Sequence, residues 1–197
     1  MAARSLDIGG DEEDAVRTLE DVLNRALALG AAVAGAIGAP CGELLAWLAE
    51  MSLLDELTAS ERMLLNEQAS KQLVVDFSWQ SERLVVLLWA LNKIPTLPFP
   101  TPKTSVAFIE ELLPPYGDES ATEFCASARL RSEDELFDAA YEIQEFHVVA
   151  LQRRMSRPNY QPSVSAVDEG VVRERHHAIK WLVGYCGQSW DDVTTDT

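Results

Sequence analysis

Two charged residues interrupt apolar helical stripes, and their types and positions make them the first candidates for chemistry. Glu82 shares a helix face with Trp79 and Trp89, and Arg175 lies on the apolar face of the last predicted helix. A buried charge without a partner costs several kcal/mol, so we expect each one to meet an opposite charge. We consider two arrangements: Glu82 and Arg175 pair with each other as a structural unit, or they line a polar pocket in an apolar cleft.

The carboxy-terminal acids are the other candidate partners for Arg175. They follow an aromatic residue as Trp190-Asp191-Asp192, with Asp196 close behind. If they hold Arg175, the chain folds back on itself as a clasp. Such acids can also bind hard cations, but this run occurs once, so a clasp or a solvated tail is favoured and no metal site is predicted.

The aromatic and imidazole side chains favour packing over chemistry. Helical spacing predicts core or anchor positions, rather than a binding cage, for Trp47, Trp79, Trp89, Trp181 and Trp190. His147 lies on an apolar stripe, which predicts a hydrogen-bonded core histidine. His176 and His177 point about 100° apart on a helix and are expected at the surface. The sequence therefore predicts no catalytic residue and no cofactor.

The charge balance narrows the classes of partner. The chain has 16 lysine and arginine residues against 32 acidic ones, a formal net charge of -16. Such a surface repels phosphate backbones and anionic headgroups, so neither nucleic acid nor a membrane is expected as a partner. The acidity serves solubility or, alternatively, docking onto a basic protein through the acids at 11–14 and 133–145. No particular oligomeric state is predicted.

The cysteines and the amino terminus indicate the compartment. Cys41, Cys125 and Cys186 are odd in number and far apart, which predicts free thiols in a reducing cytoplasm. The first residues lack the apolar centre of a signal peptide, and residues 1–10 are predicted to be flexible.

Periodicity predicts an all-α fold. We expect a single-domain orthogonal bundle of about six to eight helices over residues 11–197, around a buried central helix at 77–91. Four prolines make 93–104 an extended crossover or hinge, with Leu97 and Phe99 plugged into the domain.

Local signals place several helix ends. Capping boxes are predicted at Thr58–Glu61, Ser132–Glu135 and Ser165–Asp168. The helix that starts at Ala59 is predicted to run toward Asp76, and Gly187 is predicted to end the last helix.

Four groups of residues carry a resemblance to a known family. They are R-A-L-A-L from Arg25, L-T-A-S-E from Leu57, S-W-x-x-E-x-L-x-x-L-L-W-A-L from Ser78, and E-R-H-x-A-x-x-W-L from Glu174 with W-D-D-V-T-T-D-T from Trp190. Together they resemble the domain of unknown function 4272 family over nearly the whole chain. Gln80 and Glu142 stand where that family usually has arginine. The family has no established activity, so the resemblance implies a fold-sized unit and no reaction.

Two hypotheses of different classes follow. The first is a non-enzymatic cytoplasmic interaction or scaffold domain, motivated by the charge and by the absence of catalytic motifs. The alternative is a small-molecule or metal-binding enzyme with a pocket around Glu82 and Arg175, which requires a cavity beside those residues.

Overall fold

The computed structural model describes residues 15–101, 103–156 and 167–196, and within them it is helical without any β-strand. Its helices are α1 (Leu19–Ala36), α2 (Cys41–Glu50), α3 (Ala59–Leu65), α4 (Lys71–Trp79), α5 (Ser81–Ala90), α6 (Val106–Glu110), α7 (Ala121–Ser127), α8 (Glu133–Ser156) and α9 (Glu169–Leu182). Short 3₁₀ turns cover Leu54–Glu56, Tyr185–Gly187 and Trp190–Asp192. The predicted all-α class is confirmed.

Helix α5 lies at the centre of the bundle. Every residue of α5 except Arg83 is buried, as its nearly uniform apolar character predicts. It packs between α1 and α9, while α8 covers the outer side of α9 and α2 to α4 pack around α1. Both neighbours of α5 therefore contribute side chains to any site beside it.

The helix predicted to run from Ala59 toward Asp76 is divided into two helices, α3 and α4. The predicted helix from Ala59 to Asp76 is wrong, because Glu67 takes a left-handed φ of 59° and ends α3. Ser70 then caps α4 by accepting a hydrogen bond from the backbone N–H of Leu73. Gln80 separates α4 from α5, so the core helix begins at Ser81 rather than at residue 77.

Capping boxes fix the starts of several helices. The boxes predicted at Thr58–Glu61 and Ser132–Glu135 are confirmed by reciprocal hydrogen bonds. Two further boxes, Thr18–Asp21 and Ser120–Glu123, start α1 and α7. The segment around α7 has no strong hydrophobic periodicity, so the capping box was the main sequence signal for this helix.

The ends of α9 differ from the prediction. Ser165 lies outside the described residues, and Asp168 caps α9 by accepting from the backbone N–H of Val171. Gly184, with a φ of 73°, ends the helix, so the prediction of Gly187 is wrong. A Cβ at residue 184 would lie 2.1 Å from the Ala15 carbonyl oxygen, so this close crossing requires glycine.

The described part of the proline-rich segment 93–104 runs across α8 and α9, and its carbonyl groups are held by α9, by the residue that caps α9 and by the loop before α8. Arg131 donates to the carbonyl oxygens of Ile94 and Pro95 at 3.1 and 3.0 Å, and the Asp168 N–H donates to Pro100 at 2.8 Å. Phe99 is 56% exposed and packs edge-on against Phe146, so its predicted role as a plug is wrong. Its ring covers the outside of α8 instead of entering the core.

Candidate functional site

Glu82 and Arg175 form a buried ion pair. Nε and Nη2 of Arg175 each lie 2.9 Å from Oε2 of Glu82, and both side chains are almost fully buried. Burial lowers the pKa of Arg175, and the adjacent Glu82 charge opposes that shift. Each charge thus meets an opposite charge, as its position on an apolar stripe predicts.

Segment 93–104 provides hydrogen-bond partners for the remaining polar atoms of this pair. Glu82 accepts from the backbone N–H of Thr104 and, at 3.3 Å, from its hydroxyl, while Arg175 donates to the Pro98 carbonyl oxygen. The pair therefore ties this segment to α5 and α9. No terminal acid forms an ion pair with Arg175 among the described residues, so the predicted clasp through Asp191, Asp192 or Asp196 is wrong.

Among the described residues, a small cavity borders the pair. It measures about 100 Å³, lies between segment 93–104, α8 and α9, and is lined by Arg175, Glu142 and Phe146 among others. That volume holds a few water molecules, since each occupies about 30 Å³ in the liquid. Ligand pockets usually measure about 300 to 1,000 Å³. Among the cavities lined by described residues, the one that Arg175 lines is therefore smaller than a usual ligand pocket.

A larger and strongly polar cavity lies on another side of α9, where α5, α9 and the carboxy-terminal segment meet. We call it the polar cavity; it measures about 370 Å³. It is lined by Arg83, Arg173, Glu174, His177, Asp191, Val193 and Thr195. Among the predicted candidates, Asp191 belongs to its wall.

One wall of the polar cavity carries two arginines around one carboxylate. Glu174 is buried, with Oε2 2.6 Å from Nε of Arg83 and Oε1 3.0 Å from Nη2 of Arg173. Burial lowers the pKa of Arg83, and the Glu174 charge opposes that shift. Two guanidinium groups thus share one carboxylate, and this wall has a surplus positive charge.

Asp191 provides the opposite charge. Its carboxylate forms no ion pair with any described residue, although Arg25 and Arg83 are close enough to act on it electrostatically. Burial and the nearby Glu61 charge raise the pKa of Asp191. The polar cavity is therefore lined by charges of both signs, and Asp191 is not paired with either arginine of the wall.

His177 lies beneath these walls and was expected at the surface. The structure places His176 and His177 at 3% and 7% exposure because α9 is covered on both flanks, by α8 and by α5. Burial lowers the pKa of His177 to about 3, and the ring is hydrogen-bonded to the Trp190 backbone. Its Nε2 is buried with no partner among the described groups. The neutral ring thus has one unused nitrogen.

Trp190 anchors the carboxy-terminal segment beside the polar cavity. The guanidinium groups of Arg25 and Arg83 lie 5.1 and 5.7 Å from the centre of its ring. The rings of His177 and Trp181 meet it edge-on at 5.0 and 5.1 Å. The chain does fold back on itself, but through this aromatic ring rather than through the acids.

Trp79 and Trp89 do not line this cavity. Trp89 is covered by Arg131, whose guanidinium lies 4.7 Å from the ring centre, and Trp79 is covered by Lys103 at 5.0 Å. They are core and anchor residues, as their helical spacing predicts.

A second buried ion pair supports Trp190 from behind. Nη2 of Arg25 lies 2.6 Å from Oε1 of Glu61, and both side chains are buried. The other oxygen of Glu61 accepts from the Thr58 N–H at 2.9 Å, so the capping box also orients this carboxylate. Arg25 donates further to the Glu56 carbonyl oxygen at 3.0 Å.

Residues from all the segments that carry the family resemblance converge here. They are Arg25 of α1, Glu61 of α3, Arg83 of α5, Glu174 and Trp181 of α9, and Trp190 and Asp191 of the terminal segment. Sequence reasoning missed Arg25, Arg83 and Glu174 as a group. Arg25 and Glu174 are specified residues of those motifs, which was the available signal, whereas Arg83 stands at an unspecified position of the motif that starts at Ser78.

Comparisons with known proteins give a family but no activity. A family model described as "Domain of unknown function (DUF4272)" matches residues 4–193. No curated protein and no solved structure shows significant similarity to the chain. In the part of the chain that the structure describes, no helix has both the length and the apolar character needed to cross a bilayer.

Proposed function

Because the chain belongs to the DUF4272 family of domains of unknown function, we propose a function from its own geometry: it is a binding domain that takes a small polar molecule into the polar cavity. The observation that carries this proposal is a cavity of about 370 Å³ with charged walls of both signs. That volume lies in the range of about 300 to 1,000 Å³ found for small-molecule pockets.

Preorganisation supports binding at this cavity. Arg83 is fixed by Glu174 at 2.6 Å, and Trp190 beside it is held between two guanidinium groups. A side chain fixed before binding loses little conformational entropy when the ligand arrives. The walls are therefore suited to hold a polar ligand in one orientation.

The unused nitrogen of His177 also supports a ligand. A buried polar atom without a hydrogen bond costs about 1–3 kcal/mol. Native proteins keep few such atoms, and each one calls for an explanation such as a function or a bound molecule. In this proposal a ligand, or a water bound with it, completes the site.

Filling the cavity tests the proposal. The purified protein is screened against a library of small polar metabolites by thermal shift, and each hit is titrated by calorimetry. Thr195→Trp should abolish binding because residue 195 lines the cavity, whereas Thr194→Trp, one residue earlier and exposed, should preserve it. Binding that survives Thr195→Trp, or a screen without any hit, would refute the proposal.

A second candidate function is docking onto a basic protein through the outer face of α8. Exposed acids follow one another along this helix at Glu133, Asp134, Asp138, Glu142 and Glu145. Tyr141, 45% exposed, lies among them and could contribute contact area. The other acids considered, at 11–14, lie outside the described residues.

Salt-dependent association tests this second function. Lysine-rich protein partners should be recovered in pull-downs at low salt and lost at high salt. Asp138→Lys with Glu142→Lys should abolish recovery, while the same charge change on α2, Glu43→Lys with Glu50→Lys, should not. Equal recovery by both variants would assign the attraction to net charge alone.

The proposed location is the cytoplasm. None of the three cysteines forms a disulfide with a described residue, and burial raises the pKa of Cys41 and of Cys125, which keeps these two thiols protonated at neutral pH. Unpaired thiols are typical of reducing compartments. The net charge of -16 supports proteins or small molecules, rather than nucleic acid, as partners.

A further inference from the structure

We infer that the ligand of the polar cavity is a small zwitterion of the α-amino acid class, with its carboxylate bound by Arg83 and Arg173 and its ammonium group bound by Asp191. This inference rests on the proposed function and adds the chemical class of the ligand.

The arginine wall has hydrogen-bond donors that no described group uses. Arg83 uses Nε for Glu174, and Arg173 uses Nε and Nη2 for the same carboxylate. Both Nη groups of Arg83 and Nη1 of Arg173 have no hydrogen bond to any described group. A planar carboxylate is the anion that matches such guanidinium edges with paired hydrogen bonds.

The carboxy-terminal segment contributes an unused acceptor to the cavity. Asp191 lines the cavity without an ion pair among the described residues, and it is close enough to Arg83 for that charge to lower its pKa in part. The net shift of the Asp191 pKa is nevertheless upward, mainly through burial. A partly desolvated carboxylate favours a compact cation, and an ammonium group meets that need with three donors.

Charge balance selects a zwitterion over simpler ions. Arg83 and Arg173 together balance Glu174 and Asp191, so the cavity is neutral as a whole but divided into a positive and a negative side. A neutral ligand with the complementary division leaves no net charge in the site. An anion such as phosphate would face Asp191, and the field of a chain with net charge -16 would also repel it.

Comparing an amino acid with the analogues that lack its ammonium group or its carboxylate tests whether the ligand is a zwitterion. The twenty L-amino acids are titrated into the full chain by calorimetry. The tightest binder is then compared with its des-amino acid, its decarboxylated amine and inorganic phosphate. The des-amino acid and the decarboxylated amine should each bind at least about 10-fold more weakly than the amino acid, because each lacks one charged group and its hydrogen-bonded contact.

Asp191→Asn provides the discriminating variant. It should weaken the amino acid at least about 10-fold while leaving the des-amino acid unchanged or tighter, because only the ammonium contact is removed. Asp192→Asn is the matched control, since Asp192 is hydrogen-bonded to Ser189 and does not line the cavity. Asp192 is exposed, and Asp191 is only partly desolvated and forms no ion pair with a described residue, so neither substitution should disturb folding.

The outcomes separate this inference from the proposed function. A des-amino acid or phosphate that binds as tightly as the amino acid, or an Asp191→Asn variant without selective loss, overturns the zwitterion and leaves a polar-ligand site standing. Absence of binding by every amino acid overturns the zwitterion too. If the metabolite library also gives no hit, the binding function fails with it.

Discussion

Nδ1 of His147 lies 2.9 Å from Nδ1 of His176, so one ring donates the shared hydrogen and the other accepts it. The two rings meet edge-on, with centres 5.1 Å apart, and both are buried between α8 and α9. Doubly protonated rings would place two donors face to face. The contact between these helices therefore requires at least one neutral ring, and the predicted hydrogen-bonded core position of His147 is confirmed.

Acidification should weaken the fold through these histidines. Burial lowers the pKa of His147 and brings that of His176 to about 3. The unfolded chain, with histidine pKa values near 6.5, binds more protons below that pH than the folded protein does. The free energy of unfolding should therefore fall below pH 6.5, by up to about 1.4 kcal/mol per pH unit for each neutral histidine.

Urea unfolding at pH 7.5 and pH 5.0 measures this effect. His176→Gln should be less stable than the wild type at pH 7.5 and should lose less stability on acidification. A wild type that is equally stable at the two pH values would contradict the assignment.

Glu61→Gln should cost about 3–5 kcal/mol of folding free energy, because it leaves the Arg25 guanidinium buried without a counter-charge. Glu123→Gln is the matched control, because Glu123 closes an equivalent capping box at an exposed position. Its loss should be much smaller. Equal losses measured by urea unfolding would mean that Glu61 acts only as a cap.

Glu82 and Arg175 should show strong coupling. Arg175→Met alone should cost about 3–5 kcal/mol, because it leaves Glu82 buried and charged. The double variant Glu82→Leu with Arg175→Met should be more stable than either single variant, since no unpaired charge remains. Additive losses in this cycle would contradict a structural ion pair. The double variant should also retain whatever ligand the polar cavity binds.

Trp190→Ala should destabilise the protein by about 3–5 kcal/mol, the usual cost of removing a large buried aromatic side chain. The neighbouring exposed residue provides the control, and Asp192→Ala should leave the thermal midpoint nearly unchanged. A small effect of Trp190→Ala would mean that the terminal segment is not anchored by this ring.

Local physics made much of the fold predictable. The capping boxes at Thr58 and Ser132 act within four residues, and the burial of α5 follows from its own composition. The break at Glu67 was missed because a glutamate gives no sequence signal for a left-handed backbone conformation. The burial of His176 and His177 was missed because it depends on covering α9 from two sides, which a single helix does not reveal.

The site was less accessible to sequence reasoning. Glu82 and Arg175 were found because they interrupt apolar stripes, and such residues turned out to be paired. Glu61 already had a local explanation as a capping residue, which concealed its second bond to Arg25. Asp191 was identified as a candidate partner of Arg175 but lines the polar cavity without an ion pair among the described residues, since local patterns carry no information on distances across the fold.

The two ion pairs between α5 and α9 use consecutive residues with opposite signs. Glu82 pairs with Arg175, and Arg83 pairs with Glu174. A slip of one residue in one direction would oppose Glu82 to Glu174, and a slip in the other would oppose Arg83 to Arg175. Each error replaces attraction by repulsion in a buried interface, where like charges are costly. The four charges thus favour the observed packing of the two central helices over arrangements that bring like charges together.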